Sequence, residues 1–254
     1  MNKITAPPVQ RVRATTMEQG NMTEEFDLNR YMARLLLKEP FFAALSRTID
    51  KFPSKGIPTA GVRINPNTAQ FELIYNPDFF ASLEDHCRLG VLKHEFYHLI
   101  FEHVTGRLPV EGMTPKWNIC TDLAINTHLQ GELPENCLMP GQEGRPWEDM
   151  PHGKSAEWYM ENLKFPESKK GRGDGGSGDC DGSDDGGGED SSDGQGQEGV
   201  GTHDGWSDIS EEAKQIAKER LKNNLEKAVK EASTRGWGTV SSDCRQEIME
   251  RLKT

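Results

Sequence analysis

The feature that most constrains this chain is a stretch from about Glu84 to His103 that is apolar around nearly the whole helical wheel yet carries ionisable groups at its centre. Val91, Leu92, Phe96, Leu99, Ile100 and Phe101 leave it no polar face, so the helix has to be buried. Within it, residues 94–98 read His-Glu-Phe-Tyr-His. Imidazoles and carboxylates in a core are costly unless something pairs them. Whatever fold forms must wrap this helix and supply partners for His94, Glu95 and His98.

Residues four apart on a helix share a face, so His94 and His98 can offer ring nitrogens to a single ion. Glu95 then lies about 100° around from His94, beside that ion. There it can act as general base toward a water whose pKa the metal lowers. This is the arrangement of a Zn²⁺ peptidase site, with Glu95 catalytic and a peptide or protein as substrate. The competing reading is a pair of core histidines hydrogen-bonded to backbone or carboxylate.

Such a site needs a third protein ligand and an open fourth position. On a continuing helix His103 points about 140° away from His98, and no glycine intervenes to turn the chain. Glu102 lies nearer the correct face but about 12 Å along the axis from His94, which suits a supporting role. Asp122 is the preferred ligand. It sits in an apolar-striped segment, residues 117–130, that can pack antiparallel through the loop 104–116, and Asn126 shares its face and could orient its carboxylate. Tyr97 and Tyr159 could each assist an oxyanion, but core packing explains both.

Around this centre the chain reads as an α+β protein, mostly helical with a small sheet or hairpin. Residues 1–23 form a polar, aperiodic arm. From Glu24 to about Lys51 apolar residues recur at helical spacing, divided into two helices by Pro40. Residues 59–75 read as a hairpin about Asn65-Pro66-Asn67-Thr68, and Phe71 to Tyr75 is expected to be the edge to which an extended peptide adds. A short helix at Ser155 to Leu163 closes a domain at 24–165. A linker at 166–207 separates it from a helical segment at 208–254. That segment is expected to start at an Asp208 N-cap, run to about Ala232, and resume as a final helix from Asp243 to Leu252.

The linker explains the low hydrophobic share of 34%. Residues 173–209 hold eleven Asp or Glu, no Lys or Arg and thirteen of the 26 glycines, and the rest of the chain is therefore formally neutral against a net charge of −11. Such a tract cannot bury enough apolar surface to offset its ordering entropy and is expected to be disordered. Its Asp179 to Asp184 run lacks the glycine and the closing glutamate of a calcium loop. Trp206 is expected to anchor the helix that follows. No basic patch speaks for nucleic acid, and no apolar run is long enough to span a membrane. Five scattered cysteines without a CxxC pair argue against a disulfide framework. A soluble, cytoplasmic protein is expected.

Several segments, in order, resemble the metallopeptidase domain that commonly precedes a von Willebrand factor A-like domain in bacterial and phage proteins. They are Pro40-Phe41-Phe42, Thr59-Ala60, Asn76 to Phe80, the His94 to His98 helix with His103, Trp117 to Asn126, and Ser155 to Tyr159. Together they cover about residues 30–165. The resemblance implies a zincin-like fold, Asp122 as third ligand, and an acidic glycine-rich insert followed by helices as a normal feature. It also makes an AAA-type ATPase a possible partner. The A-like domain itself does not follow in the 254 residues, so its adhesion function does not carry over. The alternative to an enzyme is a catalytically silent zinc-binding scaffold or interaction module.

Overall fold

The computed structural model describes residues 26–110, 112–164 and 209–253. The expected arm at 1–23, the disordered linker with its calcium-like run, Trp206 and Asp208 lie outside them. Helix α1 (Leu28–Lys38) starts where the Asp27 carboxylate accepts the Asn29 N–H at 2.9 Å. It stops at Glu39 because the following proline disfavours helical angles there. Pro40 is in turn well suited to open α2 (Pro40–Ser46), all of whose residues are buried.

The chain then makes a three-stranded sheet from β1 (Asp50–Pro53), β2 (Ala60–Ile64) and β3 (Phe71–Tyr75), in the order β1-β3-β2. The expected hairpin is present: β2 runs antiparallel to β3, with Val62 opposite Leu73. Its turn is held by the Asn65 side chain, which accepts the N–H groups of Asn67 and Thr68 at 2.9 and 3.1 Å. Two expectations fail here. Helix does not continue to Lys51, because Asp50–Pro53 is β1, a strand too short to outweigh the helical pattern before it. As β1 pairs in parallel with β3, β3 is the central strand rather than the edge, and the edges are β1 and β2.

Asn76 caps α3 (Pro77–Ser82) by accepting the Asp78 N–H at 3.0 Å. The buried helix follows as α4 (Asp85–Ile100), and α5 (Pro115–Asn126) is capped by Thr114. Helix α6 (Ala156–Asn162) is capped by Ser155. In the C-terminal part, α7 (Glu211–Arg235) is capped by Ser210, whose hydroxyl accepts the Ala213 N–H at 3.2 Å, so the expected Asp208 cap is replaced. Helix α8 (Ser242–Arg251) ends the described chain.

The inner face of the sheet, through Ala60, Val62, Ile64, Phe71 and Leu73, packs with α1, α2 and α4 into one buried cluster. That cluster also takes in Ala213, Ala217, Leu221, Leu225 and Ala228 of α7. These recur at helical spacing, and the small residues among them let α7 lie close along α2. Each fully buried large side chain, such as Phe41 or Phe42, contributes about 1.5–3 kcal/mol relative to exposure. A second cluster joins Trp117 and Leu123 of α5 to Tyr159 of α6 and to Leu138 and Trp147 of the loop between them.

Helix α4 is fixed along its length by polar contacts as well. Tyr31 donates to Asp85 at 2.8 Å and accepts from Arg88 at 2.6 Å. Lys93, 1% exposed, meets the carboxylates of Glu39 and Glu132 and the Thr239 hydroxyl. These contacts tie α4 to α1, to the loop after α5, and to the α7–α8 turn, setting the position of the side chains on its other faces.

Candidate metal centre

On α4 the rings of His94 and His98 project from one face, as their spacing requires. Their Nε2 atoms are 3.0 Å apart. The Asp122 Oδ1, on α5, stands 3.5 Å from each. A tetrahedral ion bound at about 2.0–2.1 Å has ligand atoms roughly 3.3 Å apart, so the three spacings suit such an ion at their centre. Among the described residues, these three form the group whose His, Cys, Asp or Glu ligand atoms lie within 4.8 Å of one another. All three residues are fully buried, as is Glu95 one position along.

The tautomer of His94 is set from behind. Its Nδ1 lies 2.8 Å from the Asn126 Oδ1, while the Asn126 Nδ2 donates to the Leu138 carbonyl at 2.7 Å. With the amide held that way, Nδ1 carries the proton and Nε2 presents its lone pair to the centre. Asn126 was expected to orient Asp122; its side chain orients His94 instead. The spacing places Asn126 one turn beyond Asp122, but the periodicity of α5 alone does not reveal which neighbouring helix its amide meets.

Two other expectations rested on α4 continuing to His103. The helix ends at Ile100, and Glu102 takes a left-handed conformation with φ 57°. The chain therefore turns back, and the His103 Nδ1 comes to lie 3.3 Å from the His98 Nδ1, on the far side of that ring from the ligand group. Glu102 faces Lys218 of α7 at 4.0 Å and not the metal centre. No glycine marks the turn, which is why the sequence did not disclose it.

Burial dominates the electrostatics. It pushes the Glu95 carboxyl up to about 8, assisted by the nearby Asp122 charge and opposed by His94 and the Val62 backbone. For His98 burial lowers the pKa to about 4, reinforced by His94. For His94 the same burial is outweighed by the charge and hydrogen bond of Asp122, and the net direction is up. Two imidazole nitrogens and a carboxylate oxygen converge in a fully buried place, and these donors fit a divalent cation, whose charge would favour the ionised forms of Asp122 and Glu95.

Both tyrosines are buried among core partners. Tyr97 stacks on Phe101 and His128 in the core, and burial raises its pKa. Tyr159 donates to the Pro151 carbonyl at 2.7 Å. Cys87, Cys120, Cys137 and Cys244 are buried free thiols.

Comparison with known families decides the affiliation. A family model described as "Putative metallopeptidase domain" matches residues 23–254. The chain belongs to this family. No protein of curated function and no solved structure matches it. The span shared with the metallopeptidase-domain family includes α7 and α8, in keeping with their place in the core around α4. A metal-dependent family and a buried His/His/Asp group point to the same class of ligand, a metal ion. Among the described residues no helix is long and apolar enough to cross a membrane.

Proposed function

We propose that the chain is a zinc-dependent peptidase of zincin-like fold, with His94, His98 and Asp122 as ligands and Glu95 as general base. The observation that carries this is the spacing of the three ligand atoms, 3.0, 3.5 and 3.5 Å, with the Glu95 carboxylate on the same helix. Two imidazoles and a carboxylate suit zinc, which favours four-coordinate nitrogen and oxygen sites. Bound there, zinc would supply Lewis acidity that lowers the pKa of water and polarises a substrate carbonyl.

The protein's own groups do the rest. Glu95, in a water-poor setting that raises its proton affinity, takes a proton from the attacking water and passes it to the leaving amine. Asn126 holds the His94 ring in the ligating tautomer. Since β2 is an edge strand and the Val62 backbone adjoins Glu95, strand addition by an extended substrate falls to β2 and not to β3.

The test combines metal analysis with cleavage of a peptide library. Wild type is expected to hold one zinc per chain and to cleave, Asp122→Ala to lose the metal, and Glu95→Gln to keep the metal while losing cleavage by at least 10²-fold. Zinc without turnover in wild type would favour the scaffold reading, and absence of zinc would remove the site assignment.

A further inference from the structure

Helix α4 ends in a turn that normally calls for glycine. The Glu102 N–H bonds the Leu99 carbonyl and the His103 N–H bonds the His98 carbonyl, both at 2.9 Å. This pair of contacts requires a left-handed residue between helix and turn, usually glycine because it has no Cβ. Here a glutamate occupies it at φ 57°, an uncommon conformation for that side chain. The outcome of the turn is the placement of one ring. His103 is fully buried, with Phe101 at 5.8 Å and the edge of Trp117 at 6.0 Å between ring centroids, and its Nδ1 lies 3.3 Å from that of His98.

Protonation logic makes this contact directional. A neutral imidazole carries one N–H, so a His98 that offers Nε2 to an ion must be protonated at Nδ1. The Nδ1–H of His98 then needs an acceptor, and the atom in position is the Nδ1 lone pair of His103, whose own proton must sit on Nε2. Ligating histidines usually give their second N–H to a carboxylate, a carbonyl or water; here the place is taken by another imidazole. His94 has its counterpart in Asn126 at 2.8 Å.

We propose that His103 is a positioning residue: it accepts the His98 Nδ1–H and so fixes the tautomer and angle of that ring, and it is not itself a metal ligand. The inference rests on the metal-site reading above and assigns His103 the part in it that Asn126 plays for His94. An asparagine at 103 retains an acceptor close to where Nδ1 stands, whereas a leucine fills similar space with none.

The full-length chain can be tested by competition between protein and a chromophoric chelator for Zn²⁺, on wild type, His103→Asn and His103→Leu. The leucine variant is expected to bind zinc about 10–100-fold more weakly, with His103→Asn close to wild type. A second measurement needs no variant. Long-range ¹⁵N–¹H spectra of the zinc-loaded wild type should show His98 as the Nδ1–H tautomer and His103 as the Nε2–H tautomer. Equal zinc affinity in His103→Leu and wild type, or the opposite tautomers, overturns the proposal even if His103→Leu fails to fold. If wild type itself binds no zinc, all three proteins fail alike and the site reading falls with the inference; if wild type binds and the leucine variant matches it, the inference alone falls.

Discussion

Gly90 packs so closely against the loop after α5 that a Cβ built on it would stand 1.8 Å from the Glu132 carbonyl oxygen. No side chain fits there, and since the obstacle is backbone it cannot swing away. The contact lies one turn before His94 on the same helix, and Glu132 also pairs with Lys93. Gly90→Ala should force α4 and the loop apart. A loss of about 1–3 kcal/mol or more is expected from overpacking, read as a lower unfolding midpoint in urea, with loss of zinc affinity if α4 shifts relative to α5.

Asn126 joins the site to the loop through two hydrogen bonds, from His94 and to Leu138. Asn126→Ala removes the acceptor that sets the His94 tautomer and strands the Leu138 carbonyl. Zinc affinity should fall about 10–100-fold and stability by about 1–3 kcal/mol. Asn126→Asp keeps the acceptor and should retain most of the zinc affinity. Chelator competition and thermal unfolding with and without zinc check both; unchanged affinity in the alanine variant would show that the amide does not support the ligand.

Much of this arrangement is legible in the sequence because it depends on local periodicity. The all-round apolar character of residues 84–103 announces a buried α4, the four-residue spacing places His94 and His98 together, and turn residues at Asn65 to Thr68 mark the β2–β3 hairpin. What was missed depends on which elements meet. The four residues of β1 carry too little pattern to compete with the helix before them, so the sequence alone reads β3 as an edge. Asn126 could be placed on the Asp122 face of α5, but not against His94 of α4. His103 was misplaced for a different reason: a left-handed glutamate ends α4 where sequence rules look for glycine.

That turn leads to a prediction of opposite sign to most substitutions. Glu102 holds φ 57°, and the side chain gains only a partly exposed contact with Lys218 at 4.0 Å. Glycine adopts the same conformation without the Cβ clash. The gain of about 1–2 kcal/mol from relieved strain is offset in part by glycine's larger unfolded-state entropy. Glu102→Gly should therefore stabilise the protein by up to about 1 kcal/mol, while zinc affinity stays the same because the turn and His103 stay where they are. A destabilised variant would mean that the glutamate side chain holds the turn itself.

Lys93 carries a buried charge whose partners come from three parts of the chain. Glu39, 4% exposed, also accepts the Thr239 N–H and hydroxyl, each at 2.8 Å. Removing the ammonium leaves the buried Glu39 carboxylate without its cation, while Glu132, 30% exposed, can turn to solvent. Lys93→Ala is expected to cost about 3–5 kcal/mol, as for other buried pairs broken on one side. A double variant, Lys93→Met with Glu39→Gln, should recover part of that loss by removing charge on both sides. Urea unfolding of the two variants distinguishes a charge effect from lost packing, which the double variant would not repair.

Acid sensitivity should enter partly at the start of α4. The Arg34 hydrogen bond at 2.6 Å, with that from Tyr31, holds the Asp85 carboxyl below the usual aspartate range. A carboxyl whose folded pKa is depressed stabilises the fold above its unfolded pKa, and that contribution is lost as pH falls through the folded value. The Asp85 side chain is 60% exposed, so solvent screening limits the effect to about 0.2–1 kcal/mol. Wild type should then exceed Asp85→Asn in stability at neutral pH, and the gap should close once pH falls well below about 3.9. Added salt should narrow the gap at pH 7 as well. Urea unfolding of the two proteins between pH 2 and 7 checks this, and a gap that stayed constant across the range would assign the difference to the neutral hydrogen bond from Tyr31 and not to the Arg34 charge.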